Sequence, residues 1–193
     1  MKPDDPKLVR IAYRLAATID PDLCAVAGAM AVAVHGYPRA TAEVDLVSRL
    51  PLPEARKRLT DHGVKTTLKR GDVREADFDC LKGVLEGIEF DILPPLVPID
   101  WENAVDVPLG RGETLKFVDL PTLIHLKLRA AGPQDVLDVV MLLQLHPAEV
   151  QRARELATAY GLAAQLESFR ESPRIRAKAS GTVSRRSRRS RKS

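Results

Sequence analysis

The stretch His35-Gly36-Tyr37-Pro38-Arg39-Ala40-Thr41-Ala42-Glu43-Val44-Asp45-Leu46-Val47 decides how this chain is read. Across residues 42–50, Val44, Leu46 and Ser48 fall on one side of an extended segment, while Glu43, Asp45 and Val47 fall on the other. Successive side chains of a β-strand point to opposite faces, so Glu43 and Asp45 share a face of a predicted strand. Just upstream, residues 23–27 (Leu-Cys-Ala-Val-Ala) read as a short buried strand, Gly28 as a tight turn, and the Ala/Val-rich run to His35-Gly36 as a helix. A glycine at such a turn lets backbone N–H groups come close to an anion such as a triphosphate.

Working outward, residues 8–19 place Leu8, Ile11, Ala12, Leu15, Ala16 and Ile19 at helical spacing, and Asp20-Pro21-Asp22 ends that helix. Residues 51–62 form a proline-led surface helix stopped by Gly63, and residues 64–69 return as a strand. Residues 78–85 and 88–93 flank Glu86-Gly87 as a β-hairpin, with Asp91 near the end of its second strand and Pro94-Pro95 stopping it. A further hairpin spans residues 105–117, and helices follow over 120–130, 134–145, 148–160 and 162–170. The order predicts an α/β (α+β) fold, a small mixed sheet followed by a helical C-terminal half.

Glu43, Asp45 and Asp91 form a chemical proposal with Gly28. Crowded carboxylates repel one another unless a cation neutralises them, and hard oxygen ligands suit Mg²⁺ (or Mn²⁺) bridged to substrate phosphates. Gly28, Arg39-Ala40-Thr41, Glu43-Val44-Asp45, Asp91, the run Leu123-Ile124-His125-Leu126-Lys127-Leu128-Arg129-Ala130 and Gln134-Asp135-Val136-Leu137-Asp138 together resemble the nucleotidyltransferase superfamily. The likeness is to its minimal AbiEii/MenT-like, toxin-type branch, and it spans about residues 26–143. Gly28 matches the family's first glycine, Arg39 and Thr41 its Arg-x-Thr, Asp45 its second motif acid, and Asp91 its third carboxylate. Lys127 then faces the nucleotide phosphates from the family's helical lysine motif, and Asp138 belongs to the following Asp-x-x-Asp helix.

The resemblance implies an NTP on the Gly28-Ala29 turn, with Arg39, Thr41, Lys127 and Asp138 around it. It implies a metal held by Glu43, Asp45 and Asp91, and Glu43, Asp45, Asp91 and Lys127 as the catalytic set. It also implies transfer of a nucleoside monophosphate to a hydroxyl acceptor, either an RNA such as a tRNA 3′ end or a protein hydroxyl, and a cognate antitoxin as partner. Two positions depart from the pattern: Ala29 replaces Ser or Gly, and Glu43 replaces the first Asp. A serine hydroxyl lost at Ala29 removes one phosphate hydrogen bond but keeps the backbone donors. The extra methylene of Glu43 moves its carboxylate by about a bond length in a site where Mg²⁺ asks for near-ideal geometry. A module that binds nucleotide or a protein without catalysis is therefore the second function class. For single residues a bland reading stands beside the functional one: Arg39 as an ion-paired arginine, Thr41 as support for the strand, and Asp138 as the acidic partner that Lys127 needs on an otherwise apolar helix.

Composition bounds the rest. The chain has 193 residues and a formal net charge of +4, and residues 173–193 carry nine Lys and Arg and no acid. Subtracting those nine from +4 leaves −5 for residues 1–172, so the predicted folded domain is acidic and the charge sign comes from the tail. We divide the chain into a domain of residues 1–172, with a sheet-containing core over 1–118 and a helical part over 119–172, and a basic tail of residues 173–193. The tail's Ser/Arg bias predicts disorder and salt-sensitive contact with RNA phosphates. Cys24 and Cys80 lie in apolar or strand-like stretches without metal-ligand spacing and read as reduced core residues. No apolar run is long enough to cross a bilayer, which predicts a cytoplasmic protein with no membrane partner.

Overall fold

The computed structural model describes residues 5–71, 79–97, 99–110 and 112–171. The tail and residue 78, the expected start of a strand, lie outside them. The chain opens with α1 (Pro6–Ile19), whose N-cap Asp5 accepts from the Lys7 N–H and whose Pro6 suits the first helical turn. All six apolar residues of its predicted stripe are buried. Then follow β1 (Cys24–Val26), α2 (Gly28–Val34), β2 (Glu43–Ser48), α3 (Leu52–Asp61), β3 (Thr66–Lys69), β4 (Cys80–Leu85) and β5 (Ile88–Leu93). The hairpin β6 (Val105–Gly110) and β7 (Glu113–Phe117) precedes α4 (Leu120–Ala130), α5 (Pro133–Leu145), α6 (Val150–Ala159) and α7 (Ala163–Glu171).

The strands form one mixed sheet in the order β3-β4-β5-β2-β1-β7-β6. β2 pairs parallel with β5, and β1 parallel with β7, whereas the other neighbours are antiparallel. The α/β class with a helical second half is therefore the observed architecture. In the β4–β5 hairpin Glu86 and Gly87 both take positive φ, 51° and 76°, the signature of a two-residue turn whose twist matches the flanking strands. That turn pairs Leu85 with Ile88 and, three steps on, Lys82 with Asp91. Arg10 and Arg14 of α1 both reach Glu86, tying the hairpin tip to the first helix.

The structure departs from the sequence expectation in the detail of some elements. β1 keeps three residues of the five expected, and Val47, expected beside the two acids, is 1% exposed. Leu46, on the opposite face, is 0% exposed, so both sides of β2 are covered where it lies between β1 and β5. The helix expected from residue 148 splits into a 3₁₀ turn, Pro147–Glu149, and α6, because the Glu149 N–H bonds the His146 carbonyl three residues back at 3.0 Å. Cys24 and Cys80 are buried and in no disulfide, as expected, and burial pushes the Cys24 thiol up to about 11. No helix of the described residues is long and apolar enough to cross a membrane.

Candidate active site

Asp45 sits in the middle of β2, where its backbone carbonyl accepts from the Ala27 N–H at 2.9 Å and so joins the strand to the turn that starts α2. Gly28 takes φ +55°, and a Cβ built on it would lie 1.8 Å from Asp45 Oδ2. The absence of a side chain at Gly28 therefore makes room for the carboxylate as well as permitting the left-handed backbone. A cavity of about 390 Å³ opens here, lined in part by Gly28, Ala29, Arg39, Glu43, Asp45 and Lys127. Burial, then the charge of Glu43, pushes the Asp45 carboxyl up to about 6; Asp91 adds to the rise, and Lys127 and Lys82 oppose it. An acid in this environment gains from any nearby positive charge.

Asp91 is the register partner of Asp45 across β2 and β5, and Glu43 is that of Glu89. Paired residues of adjacent strands lie on the same face, so Glu43, Asp45 and Asp91 share one face of the sheet. Their surroundings differ. Glu43 begins the strand on the exposed side, with the Thr41 hydroxyl donating to its carbonyl at 3.3 Å and accepting from its N–H at 3.4 Å. Thr41 thus braces the strand entry. Asp91 Oδ2 accepts from Lys82 Nζ at 2.5 Å.

The cavity's opposite wall comes from α4 and α5. Lys127 is nearly buried and is gripped by Asp135 Oδ1 at 2.7 Å and Asp138 Oδ2 at 3.0 Å. Arg39 donates through Nε and Nη2 to both oxygens of Asp138 at 3.0–3.2 Å, and Gln134 adds a donor at 2.9 Å. Asp138 is 0% exposed, so it meets the cavity through Arg39, Lys127 and Gln134 and positions them. The αL residue Ala131 ends α4 with its N–H on the Lys127 carbonyl at 3.0 Å, and the chain turns at once into α5, which brings Asp135 and Asp138 back onto Lys127.

No protein-family model matches the chain, and no curated protein matches it in sequence. Solved structures do resemble it. A Thermotoga maritima protein assigned as a nucleotidyltransferase superposes with a TM-score of 0.52 at 15% identity, over 77% of this chain and 92% of that one. This is a nucleotidyltransferase-like fold. ANT(2″)-Ia, solved in complex with adenylyl-2″-tobramycin, aligns at 13% identity and a TM-score of 0.49, over 89% of this chain and 98% of its own. JHP933 from Helicobacter pylori aligns at 12% identity and a TM-score of 0.40, over 92% and 95%.

On this nucleotidyltransferase-like scaffold Glu43 and Asp45 line the cavity with oxygen donors, a chemistry that fits a hard divalent cation. Among the described residues no group of three or more His, Cys, Asp and Glu side chains is gathered so as to hold a metal ion. Asp135 was quoted in the Asp-x-x-Asp run without a role of its own, although its i, i+3 spacing to Asp138 places both on one helix face; Lys82 escaped the sequence reading. Lys82 was legible only by counting outward from the Glu86-Gly87 turn to its partner Asp91.

Proposed function

We propose that this chain transfers a nucleoside monophosphate from an NTP to a hydroxyl acceptor in a reaction that depends on Mg²⁺ or Mn²⁺. The observation that carries the reading is Asp45, lodged against the side-chain-free Gly28, in register with Asp91 and facing Lys127 across the cavity. In this reading residues 1–118 supply the carboxylate sheet and residues 119–172 the lysine helix. The backbone at Gly28 and Ala29 approaches the triphosphate, while Lys127 and Arg39, steadied by Asp138, face its negative charge. Asp91 orients the acceptor hydroxyl. That oxygen gives up its proton to Asp91 and bonds to the α-phosphorus as the α–β phosphoanhydride breaks and pyrophosphate leaves. A cation held by Glu43 and Asp45, when bound, supplies charge neutralisation for the phosphates.

The acceptor we favour is RNA, such as a tRNA 3′ end, with the basic residues 173–193 supplying phosphate contacts and a cognate antitoxin as protein partner; the resemblance to toxin-type members supports both. A second reading, a module that binds nucleotide or a protein without catalysis, is supported by Ala29 in place of the hydroxyl residue and by the Lys82 charge already on Asp91. The two separate in one assay. The full chain is incubated with each α-labelled NTP, total RNA and Mg²⁺ or Mn²⁺. We expect labelled RNA, and its loss in Asp45→Asn. No transfer by the unmodified protein or by Glu43→Asp, both folded, sinks the enzyme reading and favours the binding module.

A further inference from the structure

Three adjacent strands, β4, β5 and β2, put Lys82, Asp91 and Asp45 side by side in register on the face that carries Glu43. The ammonium of Lys82 lies 2.5 Å from Asp91 Oδ2, with the Asp91 side chain 24% exposed and that of Lys82 48%. We propose that Lys82 is a resident cation standing where a second divalent ion would bind Asp91, so that the site takes one divalent ion, at Glu43 and Asp45, and not two. The inference rests on the nucleotidyltransferase reading of this site.

The argument is one of charge and lone pairs. Glu43, Asp45, Glu89 and Asp91 place four carboxylates on one sheet face. Of the two lysines that oppose them, Lys127 is already bound by Asp135 and Asp138. Among the described residues, Lys82 is therefore the lysine committed to the carboxylate face. A divalent ion on Asp91 Oδ2 would compete with the ammonium for the same oxygen and be repelled by it at contact distance. A merely structural cross-strand ion pair predicts none of the binding behaviour that follows.

The test counts bound Mn²⁺ by electron paramagnetic resonance on the full chain, with Mn²⁺ alone and with α,β-methylene analogues of the four NTPs. The unmodified protein should bind one tight Mn²⁺ that Asp45→Asn removes. Lys82→Met should create a second site at least about tenfold tighter than any second binding by the unmodified protein. Adding Asp91→Asn should abolish that second site, and Lys82→Arg should keep the count at one. Lys82 is half-exposed, so these variants leave the core intact. Two tight ions in the unmodified protein, or a count of one in Lys82→Met, overturns the role of Lys82 and leaves the transferase reading standing. Mn²⁺ binding that Asp45→Asn does not change overturns both.

Discussion

At Asp45 the proposed function and stability pull in opposite directions. Its carboxyl is raised from 3.8 to about 6 in the folded chain, so folding favours its protonated form. The stability this contributes is present below about pH 4 and is lost as pH rises through about 6. A shift of this size corresponds to a loss on the order of 1–3 kcal/mol at neutral pH. Asp45→Asn, an isostere of the protonated acid, should therefore be more stable than the unmodified protein at pH 8 by that amount, and about equal to it near pH 4. Urea midpoints of both proteins at the two pH values measure this in the metal-free state. An unchanged difference between pH 4 and pH 8 would contradict the raised carboxyl. A residue kept at a cost to the fold is what a binding site requires.

At the level of elements, the β4–β5 hairpin holds the pairing on which Lys82 and Asp91 depend, and Gly83 is its tightest point. A Cβ there would meet Phe90 Cζ at 2.5 Å and the Lys65 carbonyl oxygen at 2.8 Å. Glycine inside a strand normally weakens it, yet here it admits the ring of Phe90, which is 1% exposed, over the backbone. Because one of the two obstacles is backbone, Gly83→Ala has no easy relaxation and should destabilise the protein by about 1–3 kcal/mol. Chemical denaturation reads this directly. A neutral result would mean that the hairpin shifts freely, and with it the Lys82–Asp91 register.

For the whole molecule the decisive quantity is the distribution of charge. Residues 1–172 sum to −5 within a chain of net +4, since residues 173–193 contribute nine positive charges. An acidic body repels RNA, whereas the basic segment attracts phosphate by counterion release. Removing residues 173–193 should leave the thermal midpoint nearly unchanged. It should also weaken RNA binding and flatten its dependence on salt by about 0.7 in log–log slope for each phosphate the segment neutralises. Fluorescence anisotropy with labelled single-stranded RNA at several salt concentrations measures both effects. Equal affinity with and without the segment at low salt removes its proposed role.

The alternation from Val44 to Ser48, the Glu86-Gly87 turn and the spacing of Leu8, Ile11 and Leu15 were enough to read the strands, the hairpin and the first helix. Each reports a local preference: side-chain period, turn chemistry, helical stripe. The alternation also put Glu43 and Asp45 on one face, and the resemblance to nucleotidyltransferases singled out Asp91, Gly28 and Lys127. What they could not supply was which groups meet across the chain. Arg39 and Asp138 lie 99 residues apart and join only when α5 folds back over the cavity. Lys82 reaches Asp91 through a cross-strand register, and Val47 is buried because β2 lies inside the sheet with both faces covered. Local chemistry names the residues able to carry charge, but long-range packing alone chooses the partner that neutralises each one.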